Sequence, residues 1–378
     1  MSANRVTIDL DALRHNFREI RRVIGPHVGI IAVVKSDAYG HGMIPVTRAL
    51  APEGPAFFAV FELDEALKLK RDGCGVPILI LMGARREEVS AVVDQGFSVC
   101  LFLEQTARDL SEAAQLKGVV APVHVKVDTG MNRLGVPWTD LPRFLDRIST
   151  MKGIRIAGLC SHLAAADEPD NDFTDQQRKR FLSAVGQVSS IQIRREMLHF
   201  GNSAAVLSGI GGEVGLVRPG LALYGSTPGP RLGGNVRLKR AMSFKSTIIQ
   251  VRTVPPGTPI SYGGTYKTQG EATIATIPVG YDDGFSRSLS NKGEVLIHGT
   301  RVPVVGRVCM NLTMVDVSGL QGVRVGDEVV LMGVQGSEEI TAEAIAAQAG
   351  TISYEIYCSF GKSNHRTYVP AAAAAGAA

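Results

Sequence analysis

Lysine is an unusual way to finish an apolar run. From Ile31 to Gly42 the chain reads IAVVKSDAYGHG, so the run stops at Lys35 and Tyr39 follows four residues later. An amine in such a place can act as a nucleophile or a base once its surroundings favour the neutral form. Other apolar runs end in the same way. VHVKVDTGMNRLG delivers Lys126, Asp128 and Arg133, and GLCSHLAAAD delivers Ser161, His162 and Asp167. LHFGNSAA delivers His199, Asn202 and Ser203, and LVRPGLALYG delivers Arg218. These residue types narrow the chemistry. A metal hydrolase wants convergent ligands, usually with an HxH pair. His15, His27, His41, His124, His162, His199, His298 and His365 form no such pair. A hydrolase with paired carboxylates would have to use Asp128 and Asp167. A phosphate-bearing cofactor needs a lysine, a phosphate cradle and a group for a ring nitrogen. Lys35, Ser203 with Gly220, and Arg218 supply all three, which describes pyridoxal phosphate held as a Schiff base.

These residues must be brought to one place. Eight strand-like runs are expected: 28–34, 56–60, 77–82, 97–101, 122–127, 154–160, 196–200 and 213–217. Amphipathic stretches separate them, as in FELDEALKLKRDG, where Leu63, Ala66 and Leu67 recur at helical spacing and Gly73 offers a stop. Eight β-then-α units read as an α/β fold, a (β/α)8 TIM-type barrel, whose active site lies at the C-terminal ends of the strands. An open doubly wound sheet shares the local pattern, but no GxGxxG follows the first run. GNSAA and RPGL fall after strands seven and eight, where barrels commonly bind phosphate. Beyond about residue 235 the texture becomes alternating and rich in Gly and Pro turns, with one short helix near TAEAIAAQAG. The expected domains are therefore a barrel over 1–235 and a mainly β C-terminal domain over 236–370. Residues 371–378, AAAAGAA with its flanking alanine, are expected to be a disordered tail.

Bulk properties remove other classes. A net charge of +4 on 40 basic and 36 acidic residues gives no basic block for nucleic acid. The N-terminus lacks the apolar core of a signal peptide, and runs such as VPILILM are too short to span a bilayer. Five scattered cysteines without CxxC suggest reduced thiols and a cytoplasmic location.

On these residues the sequence resembles the bacterial alanine racemases over nearly its whole length. AVVKSDAYGHG is similar to the family's cofactor-lysine signature, and VDTGMNRLG, SHLAAAD, NSAA and RPGLALYG are similar to its next four motifs. ISYGGTY, IPVGYDDG, GRVCM and ISYEIYC resemble the later ones, in the family's order. The resemblance implies interconversion of L- and D-alanine, supplying D-alanine for peptidoglycan. Lys35 and Tyr262 would be the two bases. Pyridoxal 5′-phosphate would be held by Lys35, Tyr39, Arg133, His162, Asn202, Ser203, Arg218, Gly220, Leu221 and Tyr354. Arg133 and the Met310 amide would bind the substrate carboxylate. Asp167, Tyr281, Arg287 and Arg307 would line an entry corridor. Lys126 would be carbamylated, as the matching lysine is in many members. Tyr262 and Met310 would come from the partner subunit of a head-to-tail homodimer. The chain departs from the family at Asn311, commonly Asp. A broad-specificity amino-acid racemase, a decarboxylase and a non-catalytic cofactor carrier remain as alternatives of the same fold.

Overall fold

The computed structural model describes residues 3–168, 170–188, 193–229, 231–234 and 236–369. The expected tail at 371–378 lies outside the described residues. The described residues form two compact units, one drawn from residues 13–38 and 43–239, the other from residues 3–12, 39–42 and 240–369.

The first unit is a closed barrel of eight parallel strands. They are Gly29–Val33, Phe57–Val60, Ile78–Ile80, Ser98–Leu101, Ala121–Asp128, Ile154–Cys160, Leu198–His199 and Leu216–Val217. Each pairs with the next, and Leu216 lies beside Gly29 to close the ring. Every expected run holds a strand, although the last two shrink to two residues. Strand seven is shortened because Arg195–Met197 turns as a 3-10 helix immediately before it. The connecting helices follow ordinary rules. Glu104–Lys117 buries Ala107, Leu110 and Ala114 along one face and stops at Gly118, whose φ of 65° suits the left-handed cap.

The barrel interior carries an unusual amount of polarity. His124 and His199 are fully buried, and their rings meet across strands five and seven. Cys100 and Cys160 lie on strands four and six with their sulfurs 3.9 Å apart, too far for a disulfide and within reach of an S–H···S hydrogen bond. All five cysteines are free thiols.

The second unit is mainly β. Its large sheet runs in the order Thr300–Pro303, Glu294–Ile297, Glu328–Gln335, Met242–Thr247, Arg5–Asp9, Arg366–Val369. A smaller sheet joins Gln250–Val254, Ala272–Ile277 and Thr313–Asp316. The helix expected near TAEAIAAQAG is Ala342–Ala349, capped by the Thr341 hydroxyl, and a second helix, Ser353–Ser363, follows it. Residues 3–12, assigned to the barrel from sequence, belong to this unit instead. Arg5–Asp9 fills a gap in the large sheet, antiparallel to Met242–Thr247 and parallel to Arg366–Val369. Such long-range pairing leaves no local signature. Among the described residues no helix is long and apolar enough to cross a membrane.

Gly158 lets strand six pass close to His124. A Cβ there would sit 2.4 Å from the Met197 carbonyl oxygen and 2.8 Å from His124 Nδ1. Gly158→Ala is therefore expected to destabilise the protein by about 1–3 kcal/mol through overpacking. Equilibrium denaturation checks this; an unchanged midpoint would show that the contact is soft.

Candidate active site

Lys35 follows the first barrel strand and opens a backbone turn of the wrong hand. Ser36, Asp37, Ala38 and Tyr39 all have φ of 54°. Four consecutive non-glycine residues in this region form a turn of left-handed helix, which costs about 1–2 kcal/mol per residue. Local bonds hold it. Ala38 N–H donates to the Val34 carbonyl, and Met43 N–H donates to Asp37 Oδ1 at 2.7 Å. The Glu65 carboxylate accepts from Ser36 N–H at 2.6 Å. The Lys35 ammonium lies 5.7 Å from the centre of the Phe61 ring, within range of a cation–π contact.

Strand eight stands beside strand one, and Val33 N–H donates to the Pro219 carbonyl at 3.1 Å. This hydrogen bond brings the segments carrying Lys35 and Arg218 to the same end of the barrel. The Arg218 guanidinium is buried and surrounded by neutral acceptors. Its Nη1 donates to His199 Nδ1 (2.6 Å) and the His199 carbonyl (2.9 Å). Its Nη2 donates to the carbonyls of Ser161 and Phe200 and to His162 Nδ1 (3.1 Å). Arginine has five N–H donors and no acceptor. The two on Nη1 and the two on Nη2 are committed, while the Nε–H has no acceptor among the described residues.

This arrangement fixes the histidines. Nδ1 of His162 and of His199 must each offer a lone pair, so both rings carry their proton on Nε2. His199 Nε2–H then donates to His124 Nδ1 at 2.8 Å, which places the His124 proton on its own Nε2. That buried Nε2 has no partner among the described residues. Burial first, then Arg218, holds the pKa of His162 and His199 well below the usual range and lowers that of His124 to about 4. The sequence reading did not anticipate His124 or the role of His199. Their inward positions on strands five and seven were the available signal.

The turn after strand seven forms a cradle. Asn202 caps helix Ser203–Leu207 by accepting from Ala205 N–H, and its amide reaches the Leu163 carbonyl at 3.4 Å. Ser203 Oγ accepts N–H bonds from Gly220 (2.9 Å) and Ala222 (3.2 Å), which leaves its own proton to donate. Leu221 is buried on the short 3-10 turn Leu221–Tyr224. Lys126 is half-buried on strand five. Burial, with Arg218 and Arg133, lowers its pKa, opposed by the nearby thiols of Cys160 and Cys100. Asp128 does not pair with it, because its carboxylate accepts from Gly130 N–H (2.8 Å) and Asn132 N–H (3.2 Å). Arg133 and Asp167 are exposed.

The remaining expected residues lie in the β unit. Tyr39 is buried there, its ring 5.8 Å from that of Tyr354, and burial, Tyr354 and Cys358 push its pKa up. It therefore remains a hydroxyl donor. Tyr262 is 71% exposed on the turn Tyr262–Gly264, and a Cβ on Gly263 would lie 3.1 Å from Arg307 Nη1. Tyr281 N–H donates to the Cys309 carbonyl and Asp282 N–H to that of Met310. The Met310 N–H has no acceptor among the described residues. Tyr262 and Cys309 line a groove of about 490 Å3 with Ile260, Leu312 and Met314. Arg287 is exposed on the turn Arg287–Leu289, which Ser286 caps. Asn311 donates to Asp282 Oδ2 at 3.3 Å, so an aspartate in its place would set two carboxylates together.

Similarity to known proteins agrees with this geometry. The family model described as alanine racemase, N-terminal domain, matches residues 8–228, and that for the C-terminal domain matches residues 241–368. The chain belongs to the alanine racemase family. An alanine racemase of Syntrophobacter fumaroxidans is 45% identical over 368 residues, covering 97% of this chain and 98% of that protein. One from Geobacter sulfurreducens is 42% identical, covering 96% of each. The crystal structure of alanine racemase from D-cycloserine producing Streptomyces lavendulae superimposes with a TM-score of 0.92 at 32% identity, over 98% of both chains. The Bartonella henselae enzyme, solved with covalently bound pyridoxal phosphate, gives 0.88 at 31%, over 97% of this chain and 99% of that one.

The neutral histidines make a pH prediction. Unfolded rings titrate near 6.5, so above that pH their contribution to stability is fully present. Below it the unfolded chain binds protons that the folded rings refuse, and stability falls. For His124 the loss continues down to about pH 4. Each such ring contributes a slope of about 1.4 kcal/mol per pH unit inside its window. Denaturant titrations at a series of pH values should show this decline, with a shallower slope in His124→Gln. Flat stability between neutral pH and about pH 5 would contradict the neutral state assigned to these rings.

Proposed function

We propose that this chain is a pyridoxal 5′-phosphate-dependent alanine racemase working as a head-to-tail homodimer with shared sites. One observation carries the reading. The lysine turn, the Ser203 cradle and a buried arginine with a spare Nε–H stand at the same end of one barrel. Those groups match the cofactor's three needs. Lys35 would hold it covalently, the Ser203 hydroxyl with the Gly220–Leu221 segment, Asn202, Tyr39 and Tyr354 would hold its phosphate, and Arg218 Nε–H would face its ring nitrogen. When bound, the cofactor supplies a sink for the electrons of the substrate Cα–H bond.

The chain's own groups do the rest. Inverting a carbon requires proton removal on one face and return on the other. Lys35 Nζ serves one face and the Tyr262 hydroxyl oxygen of the partner chain serves the other. The exposure of Tyr262 and the unpaired Met310 amide support their use by a second copy, where Met310 N–H and Arg133 would hold the substrate carboxylate. Asp167, Tyr281, Arg287 and Arg307 would line the approach. Arg218 cannot give up its proton, so its Nε–H would present a donor to the ring nitrogen and would not protonate it, an arrangement that would favour returning a proton to the substrate over transamination. The free thiols fit a cytoplasmic setting.

Lys126 supports a further step in this reading. The neutral form of its amine, which the lowered pKa makes more accessible, would add carbon dioxide: the nitrogen bonds to carbon, one N–H proton leaves to solvent, and a carbamate anion results. That anion would pair with Arg133 and fix it. Asp128, already committed to loop amides, supplies no alternative.

Two experiments test these assignments. Tyr262→Phe should retain the cofactor but lose on the order of 10²–10⁴ in kcat, and Lys35→Ala should lose the covalent link. Mixing the two inactive proteins should restore activity, because a mixed dimer has one intact site. Free subunit exchange without recovered activity would refute site sharing. For Lys126, protein equilibrated with 13C-bicarbonate should give a carbamate carbon signal that Lys126→Ala lacks. Short carboxylates should partly rescue that variant. A missing signal in the parent protein would rule the carbamate out.

A further inference from the structure

Glu65 makes three backbone contacts that the chemistry above does not use. Its Oε1 accepts from Ser36 N–H at 2.6 Å and lies 3.4 Å from Asp37 N. Its Oε2 accepts from Phe61 N–H at 2.7 Å. Ser36 and Asp37 are the first two residues of the left-handed turn, directly after Lys35. Phe61 follows strand two, and its ring faces the Lys35 ammonium at 5.7 Å. One carboxylate thus ties the backbone that carries the lysine to the residue that packs beside its amine.

We propose that Glu65 is a positioning residue for Lys35, its carboxylate bridging the left-handed turn and Phe61 so that the amine is held where it works. A simpler role is available. Glu65 lies in the first turn of helix Leu63–Arg71, where any acid favours the helix N-terminus. Asp64 occupies the same turn and is exposed, so it provides the comparison. A helix-end role needs only negative charge and would be shared by both acids. Bridging needs two acceptor oxygens aimed at N–H groups in opposite directions. Glutamine keeps the length and one such oxygen, but turns an NH2 donor towards an N–H at the other end.

The inference rests on Lys35 being the cofactor lysine, so the test includes a measurement independent of the cofactor. Hydrogen exchange by mass spectrometry, on cofactor-free protein, reads the peptide spanning residues 34–40. Glu65→Gln should speed exchange at Ser36 and Asp37 by about tenfold or more, the loss expected when a charge-assisted hydrogen bond is removed. Asp64→Asn should leave it unchanged. On loaded protein, borohydride reduction followed by peptide mapping measures the fraction of cofactor bonded to Lys35. That fraction and kcat should fall in Glu65→Gln with KM and Tm little changed, and Asp64→Asn should match the parent. Parent-like exchange in Glu65→Gln overturns the proposal, as does an equal effect of both variants. If the parent itself neither links the cofactor nor racemises alanine, the functional reading fails, while the exchange result still decides whether Glu65 holds the turn.

Discussion

A buried guanidinium without a counter-anion sets the terms for the barrel. Arg218 cannot shed its proton, and among the described residues no carboxylate meets it. Burial of such a charge is tolerable only when nearly every N–H finds an acceptor. The acceptors here are three carbonyls and two ring nitrogens. That choice propagates. His162 and His199 must be neutral and protonated on Nε2, His199 must then donate to His124, and Gly158 must lack a side chain so that strand six can pass the His124 ring. One cation at the rim therefore fixes tautomers and packing deep inside the barrel.

The lysine turn is the second expensive feature. Four left-handed residues cost on the order of 4–8 kcal/mol together, comparable with the net stability of many domains. Such a conformation persists only where its surroundings over-determine it. Asp37, Glu65 and the Val34 carbonyl each secure a different amide of the segment or its exit. A short right-handed turn would satisfy the same sequence locally, since Lys35–Ala38 has no glycine to request the other hand. The strain is thus imposed by the fold, and it falls directly after the residue proposed to do chemistry.

These two features mark how far the sequence could be read. Eight apolar runs with strand-like endings were enough for the barrel, because burial on both faces makes parallel strands continuous and apolar. The rim residues were legible for the same reason: a lysine, an arginine and a serine stand out after such runs. Three things were not. The strand Arg5–Asp9 joins the C-terminal sheet through partners more than two hundred residues away, which no local pattern records. Glu65 looked like one more acid on an amphipathic helix, since its purpose lies in backbone amides of another loop. The backbone hand at Ser36–Tyr39 was hidden because only Asp37 among those residues favours positive φ, and then as a single residue and not as a run.

The charge pattern of the barrel unit ties these observations to ligand chemistry. On the surface, cations meet carboxylates: Arg18 with Glu53, Arg178 with Glu213, Arg48 with Asp72. At the functional end the pattern changes. Among the described residues Lys126, Arg133 and Arg218 form no ion pair, and Asp128, the nearest acid in sequence, turns its carboxylate to its own loop. Tying up that one acid leaves the cations without a carboxylate partner, with only Cys160 and Cys100 to offset them. Their mutual repulsion is a cost the fold bears in advance, and an anionic ligand relieves it. A phosphate, a carboxylate and a carbamate are three anions of the kind that this surplus selects, and each is a group that the proposed function brings to this site. The same surplus disfavours cationic substrates, and under the proposed function a barrel built around Arg218 would suit a small zwitterion whose carboxylate can be clamped.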